Sequence, residues 1–370
     1  MVPLARRYLL SDRLRFAISA GGVAFAVLLI VLILALYQGI YDRAGRLAAT
    51  APTNLWVTQA GAPDPSHGAS ILPLSVLEQL QKVPGVAAAQ PLLARTMQVG
   101  ATPNEGTFAF AMALPEGPLQ IPTAEAFGVD SLPSKGQVTL SDLIADDIGV
   151  GVGNTVFIGV LPLEIGEVAA LVEGSFSGAV FVSAEDSPVL FSHPEAFSFA
   201  LVTIAPDADE QTVQAEIESQ VPGTNALTRD EFADATRREI EEGFLPIVAV
   251  LIVVAFVVGL AVIALTIYTS TVERVRDYGV LKAVGASPRQ LFAVVVRQSV
   301  VVAVLGYALG TILAFVTGKA IQDAVPEFAT IYRWQDLAAV FGAALVMSII
   351  AAVVPIRRVA SVDPAIVFRA

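Results

Sequence analysis

Residues 273–290 read ERVRDYGVLKAVGASPRQ and form a charged segment between two long apolar runs. No acidic, basic or amide residue lies within residues 246–270, and only Arg297 and Gln298 interrupt the run 291–316. Runs of about 20 apolar residues are long enough to cross the hydrocarbon core of a bilayer. Two membrane-spanning helices joined by so short a segment must return to the same side of the membrane. We therefore expect this segment to face a partner on that side.

The composition indicates a membrane protein. The chain has 370 residues, of which 55% are hydrophobic, and its mean hydropathy of +0.69 is too high for a soluble protein of this size. We predict four transmembrane helices, at residues 17–40, 244–269, 292–317 and 337–356. The other segments are then an amphipathic segment at 1–16, a large α+β extracytoplasmic domain at 41–243, the segment 270–291, a short external loop at 318–336 and a tail at 357–370.

Charge predicts the orientation of these helices, because Lys and Arg near the ends of the spans face the cytoplasm. Of the 22 basic and 34 acidic residues, 12 basic and four acidic ones lie in the two terminal segments, in residues 273–290 and at the start of the third helix. The remainder carries 10 basic and 30 acidic residues. We therefore place both termini and residues 270–291 in the cytoplasm and the acidic domain outside. That acidity argues against a nucleic-acid partner.

The first apolar run has two interpretations. Its basic flank and Ala49-Thr50-Ala51 resemble a cleaved signal peptide, but the apolar run is longer than a typical signal-peptide core, which favours a retained helix. Residues 1–16 either lie along the inner membrane surface, with Leu4 and Tyr8 on one face, or serve as a basic flank that sets the topology.

Both ends of the extracytoplasmic domain carry the same pattern of strand, helix and strand. These elements are predicted at residues 54–58, 74–82 and 86–92, and at 199–204, 209–220 and 225–228. The repeat predicts a compact α+β subdomain built from both ends of the segment. Between them, short β-prone runs separated by Gly and Pro predict a β-rich insertion at about 101–198.

A long helix is predicted to join this domain to the membrane. Thr228 followed by Glu231 is a capping-box pattern, which marks a helix start. Apart from Gly243 and Pro246, no residue breaks the continuation of this helix into the second span. We therefore expect a mechanical rod between the domain and residues 270–291.

The charged segment itself is predicted to contain a short amphipathic helix. Its apolar face comprises Val280, Leu281 and Val284, with Lys282 and Asp277 beside it. Gly285 permits a sharp turn. Ser287 then caps the third long helix, with Pro288 in its first turn.

No catalytic or metal site is predicted. The chain has two histidines and no cysteine, and Gly318-Lys319 lacks the other residues of a phosphate-binding loop. The spans contain almost no ionisable residues, which argues against a proton or ion relay. Gly306 and Gly310 form a small-xxx-small pair that permits close approach of another helix.

The segment resembles the FtsX-like permease family of ABC transporters, which includes the MacB-type exporters and the LolC/LolE permeases that release lipoproteins. The matching residues are Glu273-Arg274, Tyr278 to Arg289, Pro355, Arg357-Arg358, Asp363-Pro364 and Phe368-Arg369. The N-terminal half is most similar to permeases of the heterocyst glycolipid exporter type. The order of one helix, an external domain and three helices also agrees with the family.

The resemblance implies a porter-like subdomain in the external domain and a coupling helix at 270–291, which docks on a separate ATPase. The implied docking residues are Glu273, Arg274, Arg276, Tyr278, Gly279, Val280, Leu281, Lys282, Val284 and Gly285. It also implies two ATPase copies that bind ATP and Mg, while this chain binds no cofactor. Further implied partners are a second permease copy, identical or related, a periplasmic adaptor or carrier protein, and membrane lipids.

Function is expected to be export or extraction of a lipid, lipoprotein or hydrophobic compound by movement of the external domain, in the bacterial inner membrane. The alternative is an FtsX-like transmitter that does not transport and activates a cell-wall hydrolase outside the membrane. The large external domain argues against this alternative. A membrane enzyme is disfavoured because no catalytic constellation is present.

Overall fold

Along the chain, long helices precede and follow a domain in which short helices and strands alternate. The computed structural model describes residues 13–62, 70–103, 105–171, 178–191, 195–273, 287–325 and 328–360. The helices in these residues are α1 (Arg13–Ala44), α2 (Arg46–Thr50), α3 (Ser75–Leu80), α4 (Gln120–Ala126), α5 (Asp142–Ile148), α6 (Ser187–Phe191), α7 (Glu210–Gln220), α8 (Arg229–Glu273), α9 (Pro288–Ala324) and α10 (Trp334–Ala360). The strands are β1 (Leu55–Gln59), β2 (Leu72–Pro73), β3 (Val86–Gly100), β4 (Thr107–Ala113), β5 (Gln137–Ser141), β6 (Thr155–Ile158), β7 (Leu161–Ala169), β8 (Ala179–Val182), β9 (Ala196–Phe197), β10 (Phe199–Ile204) and β11 (Thr224–Thr228).

The chain divides into two compact units, and the division falls inside α1 and α8. The membrane unit comprises Met1–Gly39, Phe244–Ala324 and Phe328–Ala370. The domain comprises Ile40–Gly243 together with Val325–Glu327. Each unit has its own apolar core.

Four helices of the described residues are long and apolar enough to cross a membrane, which confirms the predicted four-helix membrane protein. They are the helices α1, α8, α9 and α10. All four extend beyond the predicted spans, and the connection between α9 and α10 covers only 325–333 instead of 318–336. The hydropathy pattern predicts a span only as far as the apolar residues extend. The helix continues past that point because its backbone hydrogen bonds do not require apolar side chains.

The ends of the predicted coupling segment belong to these helices. Residues 270–273 are the last turn of α8, and residues 288–291 are the first turn of α9. Likewise, residues 13–16 of the predicted N-terminal segment begin α1, while residues 1–12 lie outside the described part of the chain.

Nine strands of the domain form one sheet in the order β11-β1-β10-β3-β4-β8-β5-β7-β6. The two chain ends of the domain meet at one end of this order, where β1 pairs antiparallel with both β10 and β11. The helices α3 and α7 connect the strands of this region, in the two predicted strand-helix-strand units. The predicted α+β subdomain is therefore confirmed.

Strand β3 extends to Gly100, although it was predicted to end at Leu92. Its first half pairs with β10, up to Leu92 opposite Phe199, and its second half pairs with β4, from Leu93 opposite Ala113. Pro91 marked the expected end because proline cannot donate a ladder hydrogen bond. It is tolerated here because the register with β4 begins only after it.

The remaining strands close into a ring. Strand β3 pairs with β4, followed in order by β8, β5, β7 and β6, and β6 pairs back with β3 through Val99 opposite Ile158. Closure removes the free edges that invite intermolecular pairing. This six-stranded barrel comprises the second half of β3 together with strands from residues 101–198, where the insertion was predicted.

Two apolar clusters stabilise the domain, one on each face of the sheet. The first includes side chains of alternate barrel residues, such as Val99, Ile158 and Val180. The second, which we call the basal cluster, packs α2, α4 and the first turns of α8 against Trp56, Phe181 and Phe199. The start of α8 is thus part of the core of the domain.

Candidate functional site

The predicted docking residues lie almost entirely outside the described residues. Glu273 is described; it is exposed and ends α8. The other nine, Arg274, Arg276, Tyr278, Gly279, Val280, Leu281, Lys282, Val284 and Gly285, lie outside, as do the residues of the family resemblance from 361 onward. The structure therefore shows the two helices that lead to and from this segment.

The helix that leaves the segment begins at the predicted cap. The amide N–H of Gln290 donates to Oγ of Ser287 at 3.3 Å, and the amide N–H of Ser287 donates to Oε1 of Gln290 at 2.9 Å. This reciprocal pair is a capping box, and Pro288 occupies the first helical position, where its missing N–H is not needed. The start of α9 is therefore fixed by local chemistry.

The helix that enters the segment starts in the domain with a second capping box. The amide N–H of Thr228 donates to Oε2 of Glu231 at 2.9 Å, and the amide N–H of Glu231 donates to Oγ1 of Thr228 at 3.2 Å. Nε2 of Gln214 on α7 donates both to Glu231 and to the carbonyl of Ala226, each at 2.8 Å. The cap thereby joins α8, α7 and β11.

This network changes the acidity of the capping carboxyl. The hydrogen bond from the Thr228 backbone lowers the pKa of Glu231 below its usual value, and the donation by Gln214 acts in the same direction. On α7, hydrogen bonds from the Thr212 side chain and backbone lower the pKa of Asp209 in the same way. Both carboxylates are therefore charged when they cap their helices at neutral pH.

Three aromatic rings anchor the start of α8 in the basal cluster. Phe232 stacks on Trp56, with ring centroids 4.5 Å apart and planes 9° apart. Phe199 meets both rings edge-on, with centroids at 5.7 Å. Rings in these arrangements contribute about 0.5–1.5 kcal/mol beyond the apolar area that they bury. The three rings are fully buried and join β1, β10 and α8.

Basic and aromatic side chains connect α8 with the end of α1 within the domain. Arg237 bridges to Asp234 at 3.2 Å and lies over the ring of Tyr41, 6.0 Å from its centroid. Gly45, between α1 and α2, leaves room for this arginine, because a Cβ there would lie 2.6 Å from the guanidinium. The two connections to the membrane unit are thus joined inside the domain.

The glycine pair of α9 faces α1 of the same chain. A Cβ on Gly306 would lie 2.5 Å from Cβ of Val23, and one on Gly310 would lie 2.5 Å from the carbonyl oxygen of Ala24. Only glycine permits backbones to approach this closely. The pair therefore lies at a contact between α1 and α9 inside the membrane unit.

The connection between α9 and α10 is tied to the same helices. The amide N–H of Ile331 donates to the carbonyl of Ala35 at 3.0 Å, and Arg333 donates to Gln38 at 3.0 Å. The hydroxyl of Tyr332 donates to the carbonyl of Ala314 at 2.9 Å. These bonds hold α1, α9 and α10 together at one end of the unit.

The described part of the chain combines one long helix with the absence of a metal-binding cluster. Within them, no group of three His, Asp or Glu side chains is arranged to hold a metal ion. A helix of 45 residues instead connects the core of the domain with the edge of the charged segment. The predicted continuous helix is confirmed as far as Glu273.

Sequence reasoning missed the aromatic anchor, although a local signal existed. Leu227 precedes the cap residue Thr228, and Phe232 follows it by four positions. This spacing is typical of a hydrophobic staple, in which the two side chains pack together. Both belong to the basal cluster. Trp56 and Phe199, in contrast, meet Phe232 only through sheet pairing, which no local pattern reveals.

Two family profiles together match most of the chain. The profile described as MacB-like periplasmic core domain matches residues 16–220. The profile described as FtsX-like permease C-terminal matches residues 249–364, which include the charged segment.

Some relatives match nearly the whole chain, and others match part of it. Uncharacterized ABC transporter permeases of Mycobacterium bovis and Mycobacterium tuberculosis are 26% identical over 360 residues, which is 96% of this chain and 95% of theirs. The macrolide export ATP-binding/permease protein MacB of Escherichia coli is 36% identical over 100 residues, 26% of this chain and 15% of that protein.

Two solved domains are also similar. The extracellular domain of the transporter YknZ from Gram-positive bacteria aligns with 48% of this chain and 99% of that chain, at 13% identity and a TM-score of 0.35. The periplasmic region of MacB from Actinobacillus actinomycetemcomitans aligns with 49% of this chain and 90% of that chain, at the same identity and TM-score.

Proposed function

Because the chain belongs to the MacB-like and FtsX-like family of ABC transporter permeases, we propose that it couples ATP hydrolysis by a partner ATPase to movement of its own external domain. The movement exports or extracts a lipid, a lipoprotein or another hydrophobic compound. The chain itself performs no chemistry in this proposal. It converts a displacement on one side of the membrane into a displacement on the other.

The observation that carries the proposal is the single helix α8. It begins in the core of the domain at Phe232, crosses the apolar run and ends at Glu273, where the charged segment begins. A displacement of the segment therefore acts on the domain through one covalently continuous element. Residues 274–286 are the proposed coupling helix, with Val280, Leu281 and Val284 as the apolar docking residues.

The charge distribution supports an orientation with both termini in the cytoplasm of a bacterium and the chain in its inner membrane. The acidic domain then lies outside, where the matching profile is described as periplasmic. The proposed partners are two ATPase copies that bind ATP and Mg and a second permease copy, identical or related. An adaptor or carrier protein outside the membrane completes the assembly. The mycobacterial relatives are named permeases, and the Escherichia coli relative is named an ATP-binding/permease protein.

The proposed route of the substrate follows from the spans. The stretch 246–270 has no acidic, basic or amide side chain, so it offers no path lined by charges through the bilayer. A hydrophobic substrate that leaves the outer part of the membrane needs no such path. Movement of the domain is sufficient to displace it.

The docking claim is tested with the tagged full-length chain purified together with its native ATPase. We expect Val280→Asp and Leu281→Asp each to reduce the Mg-ATP hydrolysis that co-purifies by about tenfold or more, because a charge in an apolar docking pocket weakens binding strongly. The matched control is Val160→Asp, which makes the same change at an exposed residue of the domain. The control is expected to retain full hydrolysis.

Undiminished hydrolysis in both coupling variants would exclude docking through residues 280–281. Release of a labelled lipid or lipoprotein from proteoliposomes then tests transport itself. Hydrolysis without release, combined with activation of a cell-wall hydrolase, would favour the FtsX-like transmitter over a transporter.

A further inference from the structure

The most exposed large apolar side chain of the described residues lies at the start of α10. Trp334 is 74% exposed, although it is the first residue of an apolar span that continues to Ala352. Its neighbours Arg333 and Gln335 are polar and exposed. The ring therefore lies where the chain passes from a polar connection into a helix that is apolar enough to cross the membrane.

This level of a membrane protein suits tryptophan. The indole ring is apolar, whereas its N–H needs a polar partner, so tryptophan is enriched where hydrocarbon gives way to lipid headgroups. Trp56 lies in the opposite environment, fully buried in the basal cluster. The two tryptophans of the chain therefore have different surroundings, and only Trp334 is able to contact lipid.

The start of α10 is held in place within the membrane unit. The hydroxyl of Tyr307 on α9 donates to the carbonyl of Leu337, in the first turn of α10, at 3.1 Å. The ring of Tyr332 packs against Phe315 of α9, with centroids 4.2 Å apart. Trp334 is therefore presented at a fixed position by residues on both sides of it.

A cation and an acid lie beside this ring. Nε of Arg333 is 3.9 Å from Oδ2 of Asp336, and the two side chains are 47% and 27% exposed. That separation exceeds the length of a hydrogen bond, which is about 2.7–3.2 Å. One further N–H of the guanidinium donates to Gln38 on α1 at 3.0 Å. Since a guanidinium has five donors, Arg333 can bind another acceptor.

The two charges select the kind of ligand. An anionic group at Arg333 would be repelled by Asp336 next to it, and a cationic group at Asp336 would be repelled by Arg333. A headgroup that carries both a phosphate and an ammonium group satisfies both side chains. Opening the loose, partly exposed pair costs at most about 1 kcal/mol. A zwitterionic headgroup therefore fits the site better than an anionic one.

Apolar side chains lie next to the two charges, on the side of the span. The cleft that adjoins Arg333 and Asp336 is lined by Val31 and Leu34 of α1 and by Leu337 and Val340 of α10. In each helix these residues lie deeper in the span than the charged end. An acyl chain that descends from a headgroup at the charges meets this apolar surface, and its burial there adds to binding.

We propose that Arg333, Trp334 and Asp336 bind the headgroup of a zwitterionic phospholipid. The phosphate accepts hydrogen bonds from Arg333, the ammonium group lies against Asp336, and the ring of Trp334 lies at the level of the glycerol. The site fixes the depth at which α10 enters the bilayer. It is a property of the membrane unit alone, whereas its assignment to the outer leaflet rests on the orientation in the proposed function.

Lipid retention tests the choice of headgroup. The full-length protein is equilibrated with equal amounts of phosphatidylethanolamine and phosphatidylglycerol in detergent, purified, and analysed for bound lipid by mass spectrometry. We expect phosphatidylethanolamine to be enriched about threefold or more. Asp336→Asn keeps the shape of the side chain but removes its charge, and should abolish the enrichment. The matched control Asp323→Asn, at an exposed acid in the last turn of α9, should leave it unchanged.

Fluorescence quenching tests the level of the ring. The protein is placed in lipid nanodiscs that contain phospholipids with a spin label either near the glycerol or at the end of the acyl chain. The difference between wild type and Trp334→Phe isolates the signal of Trp334, because Trp56 is common to both and fully buried. We expect the label near the glycerol to quench this signal about twofold more strongly than the deep label.

Equal retention of the two lipids, or an enrichment that persists in Asp336→Asn, would overturn the headgroup site. Stronger quenching by the deep label would also overturn it, and quenching by neither label would show that protein, such as a second copy of the chain, covers Trp334. Failure of the coupling proposal gives a different result. In that case lipid selection and quenching are as expected, but the co-purifying ATP hydrolysis does not depend on residues 280–281.

Discussion

At the scale of single residues, Trp56 shows how the domain holds the start of α8. The ring is fully buried, and its indole N–H has no hydrogen-bond partner among the described residues. A buried donor without a partner costs about 1–3 kcal/mol. Packing against Phe199 and Phe232 must offset this cost, so the three rings depend on one another.

Removal of one ring is expected to destabilise the domain. Phe232→Ala leaves a cavity beside Trp56 and should lower the free energy of unfolding by about 3–5 kcal/mol. The measurement is urea denaturation followed by the fluorescence of Trp56, in a Trp334→Phe background that leaves one tryptophan. Phe108→Ala, at a residue 64% exposed, is the control and should change stability by less than about 0.5 kcal/mol. If Phe232→Ala and Phe108→Ala lowered the free energy of unfolding equally, Phe232 would not anchor α8 in the domain.

The glycine pair gives a second expectation at this scale. Gly310→Ala places a Cβ against the backbone of Ala24, which cannot move aside as a side chain can. We expect a lower melting temperature in detergent and separation of α1 from α9, detected by cross-linking of introduced cysteines. Gly342→Ala introduces the same methyl group into open space and should have little effect. If Gly310→Ala melts like Gly342→Ala, the close approach of the helices is not required.

At the scale of elements, the cap of α8 should respond to acid. The folded pKa of Glu231 is lowered, so its contribution to stability is fully present above the unfolded pKa of about 4.3 and is lost as pH falls through the folded pKa. Hydrogen exchange in the first turn of α8, corrected for intrinsic rates, should therefore accelerate below about pH 4. Glu231→Gln should show faster exchange at neutral pH and a weaker dependence on acid. An unchanged pH dependence in this variant would assign the effect to another group, such as Asp209.

Local signals predicted the elements better than their arrangement. The capping box at Thr228 and the absence of breaking residues other than Gly243 and Pro246 predicted α8, and the cap residue Ser287 followed by Pro288 predicted the start of α9. These signals act within one helix. The closure of the barrel was not predicted. It depends on β6 pairing with β3 and on β8 pairing in parallel with β4, and strands so far apart in sequence carry no local sign of their partners.

The same distinction holds for the candidate site. The motif of Gly306 and Gly310 predicted a close helix contact, but its partner α1 lies far away in the sequence. The predicted docking residues from 274 to 285 follow from a resemblance and remain a prediction.

At the scale of the whole molecule, the two units have separate cores. Among the described residues, the apolar clusters of the domain share no residue with the membrane cluster, which is built from α1, α8, α9 and α10. Unfolding should therefore proceed in two steps, in contrast to the single transition of a one-core protein.

Urea titration in detergent with two spectroscopic probes measures whether the domain and the membrane unit unfold in separate steps. Trp56 fluorescence, in the Trp334→Phe background, reports the domain, and the far-UV circular dichroism of the long helices reports mainly the membrane unit. We expect the fluorescence transition at a lower urea concentration than the final loss of helical signal. Coincident transitions would mean that the units unfold as one.

The pairing of distant strands also makes the chain a set of nested insertions. Leu92 lies opposite Phe199, so the chain leaves the α+β subdomain to form the barrel and returns to the subdomain at one place. Leu55 lies opposite Thr228, so the chain likewise enters the α+β subdomain after α2 and leaves it into α8 at one place. Evolution can therefore exchange a barrel between relatives without shifting the register of any strand outside it. Chimaeras joined at Leu92 and Phe199 should retain the Trp56 unfolding transition when the donor supplies apolar side chains in place of Phe181 and the residues of α4 that pack in the basal cluster.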